Sequence, residues 1–392
     1  MAPEAPAPIA RRSRIVTSTP SRASIQAVAQ PAMPPPTTST SVVFAMRTAA
    51  ALRSLRLHEH GVPVTSRPRI RGRGRAAMAK QFRGSYSVIV TPFTEDGKGL
   101  DLPALRRFLD WQINEGAPGF IILGTTGEFL TVSDEERTQL VEATVAHCKG
   151  RADVLVGTAN AHTPHAVRYS REAEKLGADG LMIIPPYYYS PTHDEIHGYY
   201  KAICEAVSIP IMLYNNPFTS NVDMPAKLVA RLTKDFEQIR YIKEASQDVA
   251  RVYDIIEATD GVMNVFAGER IVESYALGAV GYVNPFGNYM PLPSTRICEL
   301  LAAGRVAEAK RIQRCITEIE HIIAEGHPTY GHQCYSKALA AIMGYPVGDV
   351  RAPLTTFASL GQEGRDRVAR LKPIIERANQ LAREAALPRA AE

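Results

Sequence analysis

From Tyr86 onward, short apolar runs rich in β-branched and aromatic residues alternate with longer stretches in which apolar residues recur every three or four positions. The short runs read as buried strands and the longer stretches as amphipathic helices. The runs fall at residues 86–91, 119–124, 153–158, 180–185, 210–215, 240–245, 263–267 and 279–283. Helix starts are marked by Ser133 three positions before Glu136 and Thr192 three before Glu195, a spacing that lets hydroxyl and carboxylate satisfy the free N–H groups of a helix end. Over 101–115, Leu102, Leu105, Phe108, Leu109 and Ile113 share one stripe. Eight strand–helix units predict an α/β fold, a (β/α)8 TIM barrel, with an open doubly wound sheet as the second fit. The chain then turns helical without strands, over 305–324, 333–343 and 361–384, which predicts a small C-terminal helical appendage packed on the barrel. The expected organisation is an arm over 1–77, a catalytic barrel over 78–303 and a helical region over 304–392.

Composition changes the picture only at the front of the chain. Residues 1–77 hold 12 Arg, two Glu and ten prolines, whereas the remainder holds 33 Lys plus Arg against 38 Asp plus Glu. The arm has no sustained apolar period, so it is expected to be disordered. Three origins fit it: a targeting segment, an extension ahead of a working start at Met78, or a nucleic-acid-binding arm built on Arg67 to Arg75. No aromatic residues interleave with those arginines, which argues against nucleic acid. The expected location is the cytoplasm, or an organelle matrix if the arm is a targeting segment. Five scattered cysteines without a Cys-x-x-Cys pair fit a reducing compartment, and no apolar run reaches the length of a membrane span.

In a barrel of this kind the reactive groups sit at the carboxyl ends of the strands. The second strand ends in Gly124-Thr125-Thr126-Gly127-Glu128, which reads either as a cradle for a small carboxylate or phosphate or simply as a turn. The fourth ends in Pro185-Pro186-Tyr187-Tyr188-Tyr189, aromatic hydroxyls for a site or tyrosines packed at a subunit contact. The fifth ends in Tyr214-Asn215-Asn216-Pro217, its tyrosine a proton carrier or a core residue with a satisfied hydroxyl. The sixth reads Tyr241-Ile242-Lys243-Glu244-Ala245-Ser246. Strand alternation puts Tyr241 and Lys243 on the barrel-lining face and Ile242 on the other. Desolvation there favours the neutral amine that attacks a carbonyl to form a Schiff base, while a solvated strand-end lysine is the alternative.

His193 and His197, with Glu195 between them, have the spacing of a metal pair but no third ligand nearby, so no metal is expected. No phosphate-binding glycine loop follows a strand, so no nucleotide cofactor is expected, and residues 326–332 carry no recognisable motif.

Taken in order, Val88-x-Val90-Thr91-Pro92-Phe93, Gly124-Thr125-Thr126-Gly127-Glu128, Gly177-Ala178-Asp179 ahead of Pro185-Pro186-Tyr187-Tyr188, Tyr214-Asn215-x-Pro217, Ile242-Lys243-Glu244-Ala245, and Gly278-Ala279-x-Gly281 before Asn284 form a pattern. Through it, residues 82–381 resemble the dihydrodipicolinate synthase and N-acetylneuraminate lyase family of class I pyruvate aldolases. The resemblance implies that Lys243 condenses with pyruvate or another 2-oxo acid, and that Gly124, Thr125 and Thr126 hold its carboxylate. It also implies that Tyr214 moves protons through Thr125 to Tyr188, that Val283 and Gly268 close the pocket, and that no cofactor is needed. Family tetramers supply the residue matching Tyr188 from a neighbouring subunit, so a homotetramer is expected.

Two departures narrow the substrate. Thr219 stands where the synthase is expected to carry an arginine for the carboxylate of its second substrate, and a hydroxyl cannot replace a bidentate guanidinium. Ala245 and the pair Glu269-Arg270 stand where sialic acid lyases are expected to have a hydroxyl residue and an acidic pair. Arg270 is either an alternative anion anchor or an exposed cap on the next helix. The leading expectation is a lyase joining or cleaving a 2-oxo acid and an aldehyde. A dehydratase of 2-keto-3-deoxy sugar acids using the same lysine imine is the alternative, and a non-catalytic keto-acid-binding barrel is a third reading.

Overall fold

A computed structural model describes residues 81–325 and 332–387. Eight parallel strands close into a barrel in sequential order: β1 (Gly84–Val88), β2 (Gly119–Ile122), β3 (Asp153–Gly157), β4 (Gly180–Ile183), β5 (Ile211–Asn215), β6 (Ile239–Glu244), β7 (Asn264–Ala267) and β8 (Gly281–Asn284). β8 pairs with β1, with Val283 opposite Tyr86, so the doubly wound alternative is excluded. The helices between and after the strands are α1 (Leu102–Asn114), α2 (Asp134–Cys148), α3 (Thr163–Lys175), α4 (His193–Cys204), α5 (Pro217–Ser220), α6 (Ala226–Asp235), α7 (Ala250–Ala258), α8 (Ile271–Ala276) and α9 (Pro291–Ala302). Three further helices, α10 (Val306–Ala324), α11 (His332–Ile342) and α12 (Gly361–Glu384), make the C-terminal appendage. The readings made for residues 1–77, disorder and the origin of the arm, lie outside the described residues.

Local chemistry places these elements where the sequence pattern does. Ser133 and Glu136 form a reciprocal capping box at the start of α2, and Thr192 and Glu195 form another at the start of α4. On α1, Leu105, Phe108 and Leu109 are fully buried, with Leu102 and Ile113 packed at the edge of the core. Several strands end earlier than their apolar runs. Those at 86–91, 119–124 and 180–185 stop at Val88, Ile122 and Ile183, because beyond them backbone groups leave the ladder; Val90 N–H, for instance, donates to Asn288 Oδ1 at 3.0 Å. At the eighth strand the regular ladder begins at Gly281, two residues after the start of its apolar run: Ala279 N–H turns back to the Ser274 carbonyl of α8, while Val280 N–H already reaches the Val265 carbonyl of β7.

The lower barrel is filled by aromatic rings. Tyr86 and Phe266 meet edge-on at 5.5 Å, Tyr241 and Phe266 at 6.2 Å, and Phe82 stands 4.8 Å from Tyr241. This plug leaves the carboxyl end of the barrel as the end open to a ligand. The appendage shares a second core with the β8 side of the barrel, in which Ile312, Ile316 and Ile319 of α10 and Leu371 and Ile375 of α12 pack with Ile297 of α9, Tyr282 and Phe286. It is therefore part of the barrel's packing and not an independent body.

Candidate active site

Strand pairing brings the two central residues together. β5 and β6 align with Tyr214 opposite Lys243. Both side chains are buried, at 5% and 8% exposure, and Lys243 Nζ stands 4.3 Å from the centre of the Tyr214 ring. The Tyr214 hydroxyl accepts a hydrogen bond from Asn216 Nδ2 at 2.9 Å. One residue further along both strands, Asn215 Nδ2 donates to Glu244 Oε2 and to Asp223 Oδ1, each at 3.0 Å, and Ser246 N–H donates to Glu244 Oε1 at 2.7 Å. Arg251 pairs with Asp223 at 2.9 Å. Burial pushes the Glu244 carboxyl up, and these hydrogen bonds pull against that shift. The network ties the ends of β5 and β6 together and so sets where Lys243 and Tyr214 stand.

The loop after β2 is held from several sides. Leu123 and Glu128, which bracket Gly124-Thr125-Thr126-Gly127, both adopt left-handed backbone, with φ of 57° and 56°. Thr91 Oγ1 donates to the Gly127 carbonyl at 2.6 Å, and Glu128 N–H donates to the Thr125 carbonyl at 3.1 Å. The Glu128 carboxylate is fully buried, meets Lys337 Nζ at 2.7 Å and accepts from Arg351 N–H at 3.0 Å. Lys337 also donates to the Asp349 carbonyl and lies 4.2 Å over the Phe93 ring. Thr126 is buried and Thr125 half-buried on this loop. The appendage thus grips the threonine loop through a buried ion pair.

The remaining residues singled out from the sequence fall in different places. Gly124 is buried at the start of the threonine loop, and Val283 is fully buried in β8. Gly268 N–H donates to the Glu244 carbonyl at 2.7 Å, and a Cβ there would stand 2.4 Å from Ala245 Cβ, so only glycine lets the end of β7 close against β6. Tyr188 is 81% exposed in the single chain, edge-on to Tyr189 at 5.4 Å. Thr219 is exposed on α5, its hydroxyl donating to the Asn216 carbonyl at 3.4 Å. Arg270 is the exposed N-cap of α8 and lines a groove with Lys310, Arg314 and His321, apart from the Lys243–Tyr214 pair. His197 pairs with Asp235 at 2.9 Å, and among the described residues no cluster of three or more His, Cys, Asp or Glu side chains could hold a metal.

Sequence reasoning missed His332. Its Nε2 stands 3.4 Å from Thr126 Oγ1, and burial together with the positive charge of Lys243 pushes its imidazole down to about 4. The nearby Lys337 followed no motif signal either, since its partner Glu128 is 209 positions away.

A closed (β/α)8 barrel carrying a buried lysine beside a tyrosine at its carboxyl end has the construction of a class I aldolase, a lyase that works through an enzyme-bound imine. The sequence profile described as "Dihydrodipicolinate synthetase family" matches residues 81–371, and the chain belongs to that family of pyruvate-dependent aldolases and lyases. Among curated relatives, the 4-hydroxy-tetrahydrodipicolinate synthase of Syntrophus aciditrophicus is 33% identical over 290 residues, 73% of this chain and 97% of its own. The protein of the same name from Pelobacter propionicus is 34% identical over 287 residues, 72% of this chain and 95% of its own. Among solved structures, YagE, a prophage protein of E. coli K12 in complex with pyruvate, superposes with a TM-score of 0.70 at 27% identity, over 76% of this chain and 99% of that one. Among the described residues, no helix is long and apolar enough to cross a membrane.

Proposed function

We propose that this protein joins or cleaves a carbon–carbon bond between a 2-oxo acid, pyruvate in the first instance, and an aldehyde, through an imine on Lys243. The observation that carries the reading is the placement of Lys243: buried at the carboxyl end of β6, within 4.3 Å of the Tyr214 ring. In the condensing direction the Lys243 amine adds to the keto carbon, and the carbinolamine oxygen leaves as water after protonation. The protonated imine then draws electrons from C3, which loses a proton to give an enamine, and the enamine carbon attacks the aldehyde. The aldehyde oxygen takes up a proton as the bond forms, and water finally releases the product from Lys243. Tyr214 is the proton carrier of these steps, and Thr125 and Thr126 hold the carboxylate.

The exposure of Tyr188 and Tyr189 supports an assembly in which a second copy covers them, with Tyr188 extending the proton path of its neighbour's site. Thr219, exposed and without a guanidinium, supports a second substrate other than that of the synthase proper.

The test is borohydride reduction of the full chain with pyruvate, followed by peptide mass spectrometry. A stable adduct on Lys243, absent in Lys243→Ala, is the expected result. Adduct formation only with 2-keto-3-deoxy acids, turned over without release of pyruvate, would replace the aldolase by a dehydratase. No adduct with any 2-oxo acid would remove the imine mechanism altogether.

A further inference from the structure

His332 opens α11, the appendage helix whose first turn meets the threonine loop. Its Nε2 is 3.4 Å from Thr126 Oγ1, and Nε2 of the next residue, Gln333, donates to the Thr125 carbonyl, also at 3.4 Å. Five residues on, Lys337 is anchored in Glu128 of the same loop. The start of α11 is therefore fastened to both threonines, and three contacts, one of them made by the imidazole itself, fix the helix end against the loop. The ring also feels the charge of Lys243, which adds to burial in holding it neutral. With its titration far below neutrality it carries one N–H donor and one acceptor at pH 7.

We propose that His332 is a third ligand of the 2-oxo acid carboxylate, completing from the appendage the cradle that Thr125 and Thr126 begin on the barrel. A 2-oxo acid whose keto carbon meets Lys243 and whose carboxylate meets Thr126 brings a carboxylate oxygen to the neighbourhood of His332 Nε2. A carboxylate offers about four acceptor sites, more than two threonine hydroxyls satisfy, so a further donor has a place to act. A neutral imidazole supplies that donor without setting a second full positive charge against Lys243, as an arginine would. The inference rests on the imine reading of Lys243, and its test separates the two.

The test uses the full chain with pyruvate alone, so that no second substrate intervenes, and reads the pyruvate concentration giving half-maximal borohydride-trapped adduct. His332→Ala is expected to raise that concentration about tenfold or more while leaving the maximal adduct unchanged, in line with loss of a hydrogen bond to a charged group. His332→Gln, which restores an N–H at a similar reach, is expected to recover most of the loss. With methyl pyruvate, which lacks the carboxylate charge, wild type and His332→Ala are expected to differ little. If Ala destabilises the start of α11, His332→Leu keeps the volume, removes the hydrogen bond and answers the same question. Half-saturation within about twofold of wild type, an equal loss with methyl pyruvate, or no recovery by Gln would overturn the carboxylate role. Absence of adduct in wild type sinks the imine reading instead, and pyruvate binding by calorimetry to the same variants then decides the role of His332.

Discussion

Glu320 on α10 shows how one side chain records the packing of two layers. Burial pushes its carboxyl up to about 7, the neighbouring Glu269 adds to the shift and Arg270 opposes it. Glu269 is itself raised by burial, with Lys243 and Arg270 acting the other way. The folded protein therefore holds the Glu320 proton more tightly than the unfolded chain, where the group titrates near 4.5. Its favourable contribution is complete below about 4.5 and is lost as pH rises through about 7, at most ~3 kcal/mol in all. Glu320→Gln keeps the uncharged shape at every pH. The melting temperature of wild type is expected to fall from pH 5 to pH 8 by several degrees more than that of the variant, as read by thermal denaturation at both pH values. Equal pH dependence in the two proteins would show that Glu320 carries no such proton.

At the scale of elements, the site depends on how closely β2 and β3 approach. A Cβ on Gly157, the last residue of β3, would stand 2.0 Å from the Leu123 carbonyl oxygen, and Leu123 is the left-handed residue that launches the threonine loop. The Gly157 carbonyl also accepts from the buried Arg137 guanidinium of α2 at 2.7 Å. Gly157→Ala is expected to cost about 1–3 kcal/mol of stability by overpacking and to weaken pyruvate capture, because relief comes through movement of Leu123. Thermal unfolding and the adduct half-saturation check both halves, and an unchanged half-saturation would mean that the loop does not transmit the strain. The strands and the two capping boxes were legible in the sequence because their signals are local: short apolar runs bounded by turn residues, or a hydroxyl three positions before a carboxylate. The exact ends of β1, β2 and β4 were not legible, because they depend on which partner each backbone group finds outside the ladder.

Across the whole molecule, the appendage is joined to the threonine loop through the buried Lys337–Glu128 ion pair together with the hydrogen bonds of His332, Gln333 and Arg351. Lys337→Met leaves the Glu128 carboxylate buried beside Arg351 N–H without its countercharge, a change that typically costs about 3–5 kcal/mol. A lowered melting temperature and weaker pyruvate capture are expected together, since Glu128 and Thr125 belong to one loop. Adding Glu128→Gln removes the orphaned charge and is expected to recover part of the stability. A Lys337→Met protein as stable as wild type would show that the pair does not hold the appendage down.

The sequence by itself determined the barrel and the helical appendage, and it placed the lysine, tyrosine, threonine and glycine motifs at strand ends. It could do so because period-two alternation fixes which face a strand residue occupies, and because barrel topology fixes which end of the strand is open. Only the tertiary structure decided that His332, 206 positions beyond Thr126, and Lys337, 209 beyond Glu128, pack against the same loop. No local pattern marks either residue: their neighbours exist only once β8 has closed on β1 and α11 has docked over the loop after β2.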